Sequence, residues 1–232
     1  MTVRVLVIDV GGTHVKLLAT GRAKRVEIPS GPDLTAAKMV KAVRAATKGW
    51  DYSAVSIGYP GPVVHNQPIS EPHNLGHGWV RFDFRKAFER PVRLINDAAM
   101  QALGSYKGGR MLFLGLGTGL GSAMIVDGIL EPMELAHLPY KKARTFEDYV
   151  GLRGLKRLGK KKWRRQVADV VQQLKAALEA DYVVLGGGNA KQLKKLPPGA
   201  KLGDNNNAFR GGFRLWQGNH GRVGRRPMRK RL

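Results

Sequence analysis

Two short stretches carry the residue types that could do chemistry. "DVGGT" at Asp9–Thr13 sets a carboxylate at the end of an apolar run, followed by Gly11, Gly12 and a hydroxyl. "LGLGTGLGSA" at Leu114–Ala123 places glycine at every second position from Gly115 to Gly121, with Thr118 between Gly117 and Gly119. A glycine turn between strands bares backbone N–H groups to phosphate oxygens with no Cβ in the way. Thr13 and Thr118 each add a hydroxyl donor, and Asp9 can hold Mg2+ directly or through water. Either stretch alone also reads as a plain structural turn. The pair, with an aspartate at the strand end, points to phosphate chemistry.

The second stretch departs from the two common phosphate templates. Leu120 stands where a dinucleotide fingerprint needs its last glycine. "GLKRLGKK" at Gly154–Lys161 approaches a Walker loop, but Lys161 occupies the Ser/Thr position and the segment reads as helix. A third segment, "VVLGGGNAKQL", ends a buried-type strand in Gly186, Gly187 and Gly188. Such a turn either seats pyrophosphate at a helix N-terminus or simply starts a helix. Asp97 follows the apolar run Val92–Ile95 and opens a helical stretch, which suits a general base or an N-cap.

The elements that must hold these groups follow from periodicity. Strands are predicted at Val3–Ile8, His14–Ala19, Ala54–Gly58, Val92–Ile95, Met111–Leu114, Ser122–Val126 and Tyr182–Leu185. Helices are predicted over Asp33–Lys48 with an Asp cap, from Asn96 or Asp97, over Phe146–Lys156 and over Trp163–Ala180. "VLVIDVGGTHVKLL" and "MLFLGLGTGLGSAMIV" share one plan of strand, Gly/Thr turn and strand about a hundred residues apart. That repetition predicts a duplicated α/β architecture with two lobes. The expected division is a smaller lobe over 1–98, a larger one over 99–218 and a basic, disordered tail over 219–232.

The chain of 232 residues contains 40 Lys+Arg against 17 Asp+Glu, a net charge of +23, and no cysteine. Disulfides and thiolate metal sites are therefore excluded. No apolar run approaches the roughly 18 residues of a membrane span, and the expected location is cytoplasmic. A field this positive favours polyanions. "RGLKRLGKKKWRR" from Arg153 holds eight basic residues in thirteen, and the stretch from Arg222 adds six in eleven. Each is read either as a polyanion contact or as solvated surface. The second could also hold nucleic acid nonspecifically.

"DVGGTHVK", "GYPGPV", "NDAAMQA", "GLGTGLGSA", "ELAH" and "VVLGGGN" occur in an order and spacing that resemble the ROK sugar kinases. The likeness covers about residues 3–195, and "DNNNAFRGGFRLW" is similar to that family's closing helix. Within the family it is most similar to the polyphosphate-type glucokinases, through "YPGPV" and "GKKKWRRQV". The resemblance implies an actin-like (ribonuclease H-like) ATPase fold with a central cleft, and phosphoryl transfer to a hexose hydroxyl with Mg2+. It implies Asp97 as the base and Asn74, Asn96, Asp97, Glu134, His137 and Glu147 as sugar ligands. It also implies Asp9, Gly11, Gly12, Thr13 and Lys16 with Gly117, Thr118, Gly119 and Gly186–Gly188 at the donor phosphates.

The donor expected is polyphosphate, ATP or both. An ATP-only kinase for glucose, mannose or glucosamine is the alternative, and a non-catalytic sugar sensor or nucleic-acid-binding regulator is a more distant one. Regulators of the family carry an N-terminal helix-turn-helix, whereas here the first glycine turn begins by residue 9. The family is commonly dimeric. Two departures stand out: Ala136 replaces the glycine usual in "ELAH", and the Cys-rich zinc motif that follows in many relatives is missing. No structural zinc is expected, and packing must hold the Lys141–Arg144 segment.

Overall fold

The computed structural model describes residues 3–204 and 206–217. The tail expected over 219–232, with the basic stretch from Arg222, lies outside the described residues.

The chain begins with β1 (Val5–Val10), which turns into antiparallel β2 (His14–Ala19), itself paired with β3 (Val26–Pro29). After α1 (Ala36–Ala46), β4 (Ala54–Tyr59) adds in parallel to β1. A small ribbon of β5 (Val63–Val64) and β6 (Gln67–Pro68) and the short α2 (Phe84–Phe88) precede β7 (Val92–Asn96), parallel to β4. Helix α3 (Asp97–Ser105) leads to the second sheet, where β8 (Arg110–Leu116), β9 (Leu120–Val126) and β10 (Ile129–Met133) form an antiparallel meander. Then come α4 (Phe146–Val150), α5 (Leu152–Ala177), β11 (Tyr182–Gly186), a 3-10 turn at Gly188–Gln192, β12 (Ala200–Leu202) and α6 (Asn207–Arg214).

The sheet orders are β3-β2-β1-β4-β7 and β10-β9-β8-β11-β12. Both are three antiparallel strands with two parallel strands added beyond the first. This is the ribonuclease H-like order occurring twice, as the paired strand–turn–strand pattern predicts and as an actin-like α/β fold requires.

Strand alternation distributes the core. Leu6, Ile8 and Val10 of β1 pack with α1 and α2, while Val5 and Val7 face the other way. In β8, Leu112, Leu114 and Leu116 face α4 and α5, while Met111 and Phe113 share a core with Val5 and Val7. Residues i and i+2 line one face of a strand, so each sheet has two apolar faces, and α3 and α6 fill the space between the sheets. The two helices touch backbone to backbone. A Cβ on Gly104 would run into the Asn207 carbonyl, and one on Gly211 into that of Met100. The last turn of α6 and Trp216 just beyond it close the join: Ser56 Oγ donates to Gly212 O at 2.6 Å and accepts from Trp216 Nε1 at 2.9 Å.

Several boundaries differ from the sequence expectations. The first strand starts at Val5 rather than Val3. The α1 cap is Thr35, whose hydroxyl accepts from Lys38 N at 3.2 Å, and not Asp33. The helix expected over Phe146–Lys156 is broken at Gly151, which ends α4 and caps α5. Within α5, Gly159 has φ of 70°, a kink that only glycine takes easily. The helix expected after Gly188 is a single 3-10 turn. The short edge strands β3, β10 and β12 lie outside the expected strands; each has only three to five residues.

Candidate active site

Asp9 sits near the end of β1, in register with Lys16 of β2 and Gly58 of β4. Its side chain is 17% exposed, with Lys16 Nζ 3.9 Å away. Burial raises its pKa, and Lys16 and Arg25 partly oppose that rise. The turn beyond it is fixed by its backbone: Gly11 N donates to His14 O at 3.0 Å, and Ser30 Oγ donates to Gly11 O at 2.7 Å. Asn74 lies over this turn, its Cβ 3.5 Å from where a Gly12 side chain would begin.

Asp97 is the first residue of α3, but it is not the cap. Asn96 takes that role, its Oδ1 accepting from Ala99 N at 3.1 Å while its Nδ2 donates to Gly61 O at 3.1 Å. Both ends of the Asn96 side chain are thus engaged by the protein. The Asp97 carboxylate accepts from Ala98 N at 2.8 Å, and its own backbone N–H also helps hold it. Its pKa is raised to about 7, first by burial and then by the charge of Asp9, with Glu134 adding to the effect. The Ala98 N–H works in the opposite direction. The predicted base therefore stands within electrostatic reach of two other predicted site residues.

The second glycine turn joins β8 to β9, as its flanking strands predict. Gly121 packs so closely on α3 that a Cβ there would lie 2.7 Å from Ala98 Cβ, which sets this hairpin beside the helix end carrying Asp97. At its tip Gly117 N donates to Gly119 O at 3.2 Å, and Thr118 O accepts from Leu152 N at 3.1 Å. Glu147 reaches this hairpin. Its Oε2 accepts from Leu120 N at 3.2 Å, and its Oε1 accepts from Arg153 Nη2 at 3.3 Å. The third turn abuts the same place: Gly187, at φ of 80°, lies against the Leu116 backbone, and Asn189 Nδ2 donates to Gly117 O at 2.8 Å. A cavity of about 120 Å³ opens there, lined by Gln101, Phe113, Gly186, Gly187, Lys191 and Asp204 among others.

Glu134 and His137 form an exposed pair at 3.9 Å. Glu147 N donates to Ala136 O at 3.0 Å, which ties that pair to the second hairpin. The structure thus groups Asp9, Lys16, Asn74 and Gly12 around one turn and Glu147 with Gly117–Gly119 and Gly187 around another. Asp97 lies at the end of the helix beside the second hairpin. Among the described residues no group of three or more His, Asp or Glu is arranged to hold a metal ion. The near-Walker segment Gly154–Lys161 lies inside α5 and forms no loop. Two site contacts are not evident from the local pattern: Asn189, the residue after the third glycine run, bonds to the second hairpin, and Arg153 bonds to Glu147. The position of Asn189 beside the glycines is the one sequence signal for the first, and the second depends on how the chain turns between α4 and α5.

A model of the ROK family matches residues 5–132. The polyphosphate glucokinase of Mycobacterium tuberculosis strain CDC 1551 / Oshkosh is 26% identical over 217 residues, covering 82% of this chain and 80% of that protein. Among solved structures, the inorganic polyphosphate/ATP-glucomannokinase from Arthrobacter sp. strain KM has a TM-score of 0.77 at 23% identity, covering 91% of this chain and 97% of the other. The ROK family glucokinase of Streptomyces griseus, solved with glucose and AMPPNP, has a TM-score of 0.73 at 18% identity, covering 92% and 99%. Likeness at these identities carries the fold, which agrees with the two repeated sheets.

Proposed function

The chain belongs to the ROK family, and from that premise we propose that it is a glucokinase. It transfers a phosphoryl group from polyphosphate, ATP or both to the 6-hydroxyl of glucose. Asp97 carries the reading: a carboxylate whose pKa stands at about 7 is matched to taking a proton from a hydroxyl near neutral pH. Asn74, Glu134, His137 and Glu147 would hold the sugar hydroxyls. Asn96 would contribute by fixing the start of α3 as well as by contact. The Asp9–Thr13, Gly117–Gly119 and Gly186–Gly188 turns, with Lys16, would take the donor phosphates through backbone N–H groups and charge.

Mg2+ fits this donor set in one way. The ion keeps most of its waters and needs only one or two carboxylates beside phosphate oxygens, and Asp9 is a carboxylate whose burial makes a cation welcome. Asp9 would hold it, directly or through water, and the ion would offset charge on the donor phosphates. The lobes are proposed to divide near residue 98, with a cytoplasmic location and a homodimer as parts of the same reading.

Support for polyphosphate comes from α5. Lys156, Lys160, Lys161, Lys162 and Arg165 are exposed along its first half. That half is bonded to the Gly117–Gly119 turn through Leu152 N to Thr118 O, and to the end of the 3-10 turn that follows Gly188 through Arg164 Nε to Gln192 O at 2.6 Å. Many exposed cations on a helix bonded to the Gly117–Gly119 turn suit a chain of repeating negative charge, whereas ATP needs few of them. The test is glucose phosphorylation with each donor across a salt series. Polyphosphate turnover is expected to fall steeply as salt screens these charges. Turnover with ATP alone would leave the ATP-only kinase. No turnover with either donor on any hexose would overturn the kinase reading.

A further inference from the structure

The segment from Glu134 to Glu147 carries three of the proposed sugar ligands, and nothing in its own sequence explains why it should be rigid. It folds back on itself. Phe146 N donates to Leu138 O at 3.2 Å, Pro139 and Thr145 form a bridge, and Tyr140 N donates to Arg144 O at 2.8 Å. Lys142 and Ala143 make the tip, both at positive φ (50° and 54°). At the base, Glu147 N donates to Ala136 O, which ties Glu147 to the Glu134–His137 pair.

Side chains near the tip hold this hairpin against α5. The Tyr140 hydroxyl donates to the Asp169 carboxylate and lies 3.0 Å from Gln166 Oε1. Lys141 Nζ donates to Asp169 Oδ2 at 2.6 Å and sits 4.5 Å from the Tyr140 ring centre. The ring also packs on Phe146 and Tyr149, with centroids 5.1 and 5.0 Å away. The hydrogen bond to Asp169 raises the Lys141 pKa, and the bond from Lys141 lowers that of Asp169, so both are ionised at neutral pH. The chain has no cysteine with which a thiolate-bound metal could anchor this segment.

We propose that Tyr140, Lys141 and Asp169 form a clasp that positions the 134–147 hairpin on α5, making Asp169 a positioning residue for the sugar side of the site. Its sugar-binding consequence rests on the glucokinase reading; the ordering of the hairpin does not. None of the three touches the glycine turns directly, so the clasp acts first on the acceptor side and reaches the donor hairpin only through Glu147.

The experiment compares wild type, D169A, D169N and Y140F by hydrogen–deuterium exchange and by steady-state kinetics with glucose and each donor. Asp169 is 39% exposed at its side chain, and Y140F keeps the ring packing, so the variants fold. D169A is expected to speed exchange across 134–147 while leaving β1 and β8 protected. It should raise the glucose KM about tenfold, with a much smaller change in donor KM. D169N keeps an acceptor for Tyr140 and should fall between D169A and wild type. Unchanged exchange across 134–147 in both D169A and Y140F overturns the clasp, as does an equal rise in donor KM. If the wild type phosphorylates no hexose, the glucokinase reading falls, and exchange alone still decides the clasp.

Discussion

Replacing Asp97 by Asn should sharply lower turnover and at the same time stabilise the protein at neutral and alkaline pH. In the folded protein the carboxyl holds its proton up to about pH 7, against an ordinary value of 3.8. That difference corresponds to about 4 kcal/mol in ionisation free energy. An acid whose folded pKa is raised binds protons more tightly in the folded state. Its contribution is therefore fully present below about pH 4 and is lost as pH rises through about 7. Above pH 7 the folded protein holds a buried carboxylate beside the charge of Asp9, and Asn removes that cost. Asn can still accept from Ala98 N through its Oδ1, so the local bond survives.

The upper expectation for D97N at pH 8 is a gain of about 4 kcal/mol, or on the order of 10 °C in Tm for a chain of this size. The gain should shrink steadily towards pH 4. Calorimetry of both proteins from pH 4 to pH 8.5, without sugar, donor or metal, checks it. A Tm difference that does not change with pH, or a D97N protein less stable at pH 8, would refute the electrostatic account. Turnover should fall by about 10²–10⁴-fold if Asp97 is the base, and unchanged turnover would remove it from that role.

D9N should lower the pKa of Asp97, because the neighbouring charge that holds it up is gone; an NMR titration of Asp97 that stays put or moves up would contradict the coupling. Ser56→Ala removes a buried hydroxyl that bridges Gly212 O and Trp216 Nε1, and should lower stability by about 1–3 kcal/mol in denaturant unfolding. Gly104→Ala pushes a methyl into the Asn207 carbonyl and should cost about 1–3 kcal/mol, with faster exchange in α6. A mild effect there would mean that α3 and α6 can separate without loss.

The local pattern of the chain was enough for the two strand–glycine–strand units and for the apolar face of α5. It also placed a carboxylate at a strand-to-helix junction, because these features depend on residues a few positions apart. Alternation of period two and turn chemistry are written into neighbouring side chains. The exchange of roles between Asn96 and Asp97 was not legible: both are good caps one residue apart, and the packing of Gly121 on Ala98 with the bond to Gly61 O selects between them. Edge strands such as β10 and β12 form because a partner strand is present, not because their own pattern demands it.

What the tertiary structure alone decided is the surroundings of each group. The Asp97 carboxyl has a pKa near 7 because burial withdraws water from it and β1 brings the charge of Asp9 close. Asp169 meets Lys141 across 28 positions of chain, and Ser56 meets Gly212 across 156. Charge coupling and desolvation fall off with distance in space, and sequence separation carries no record of that distance.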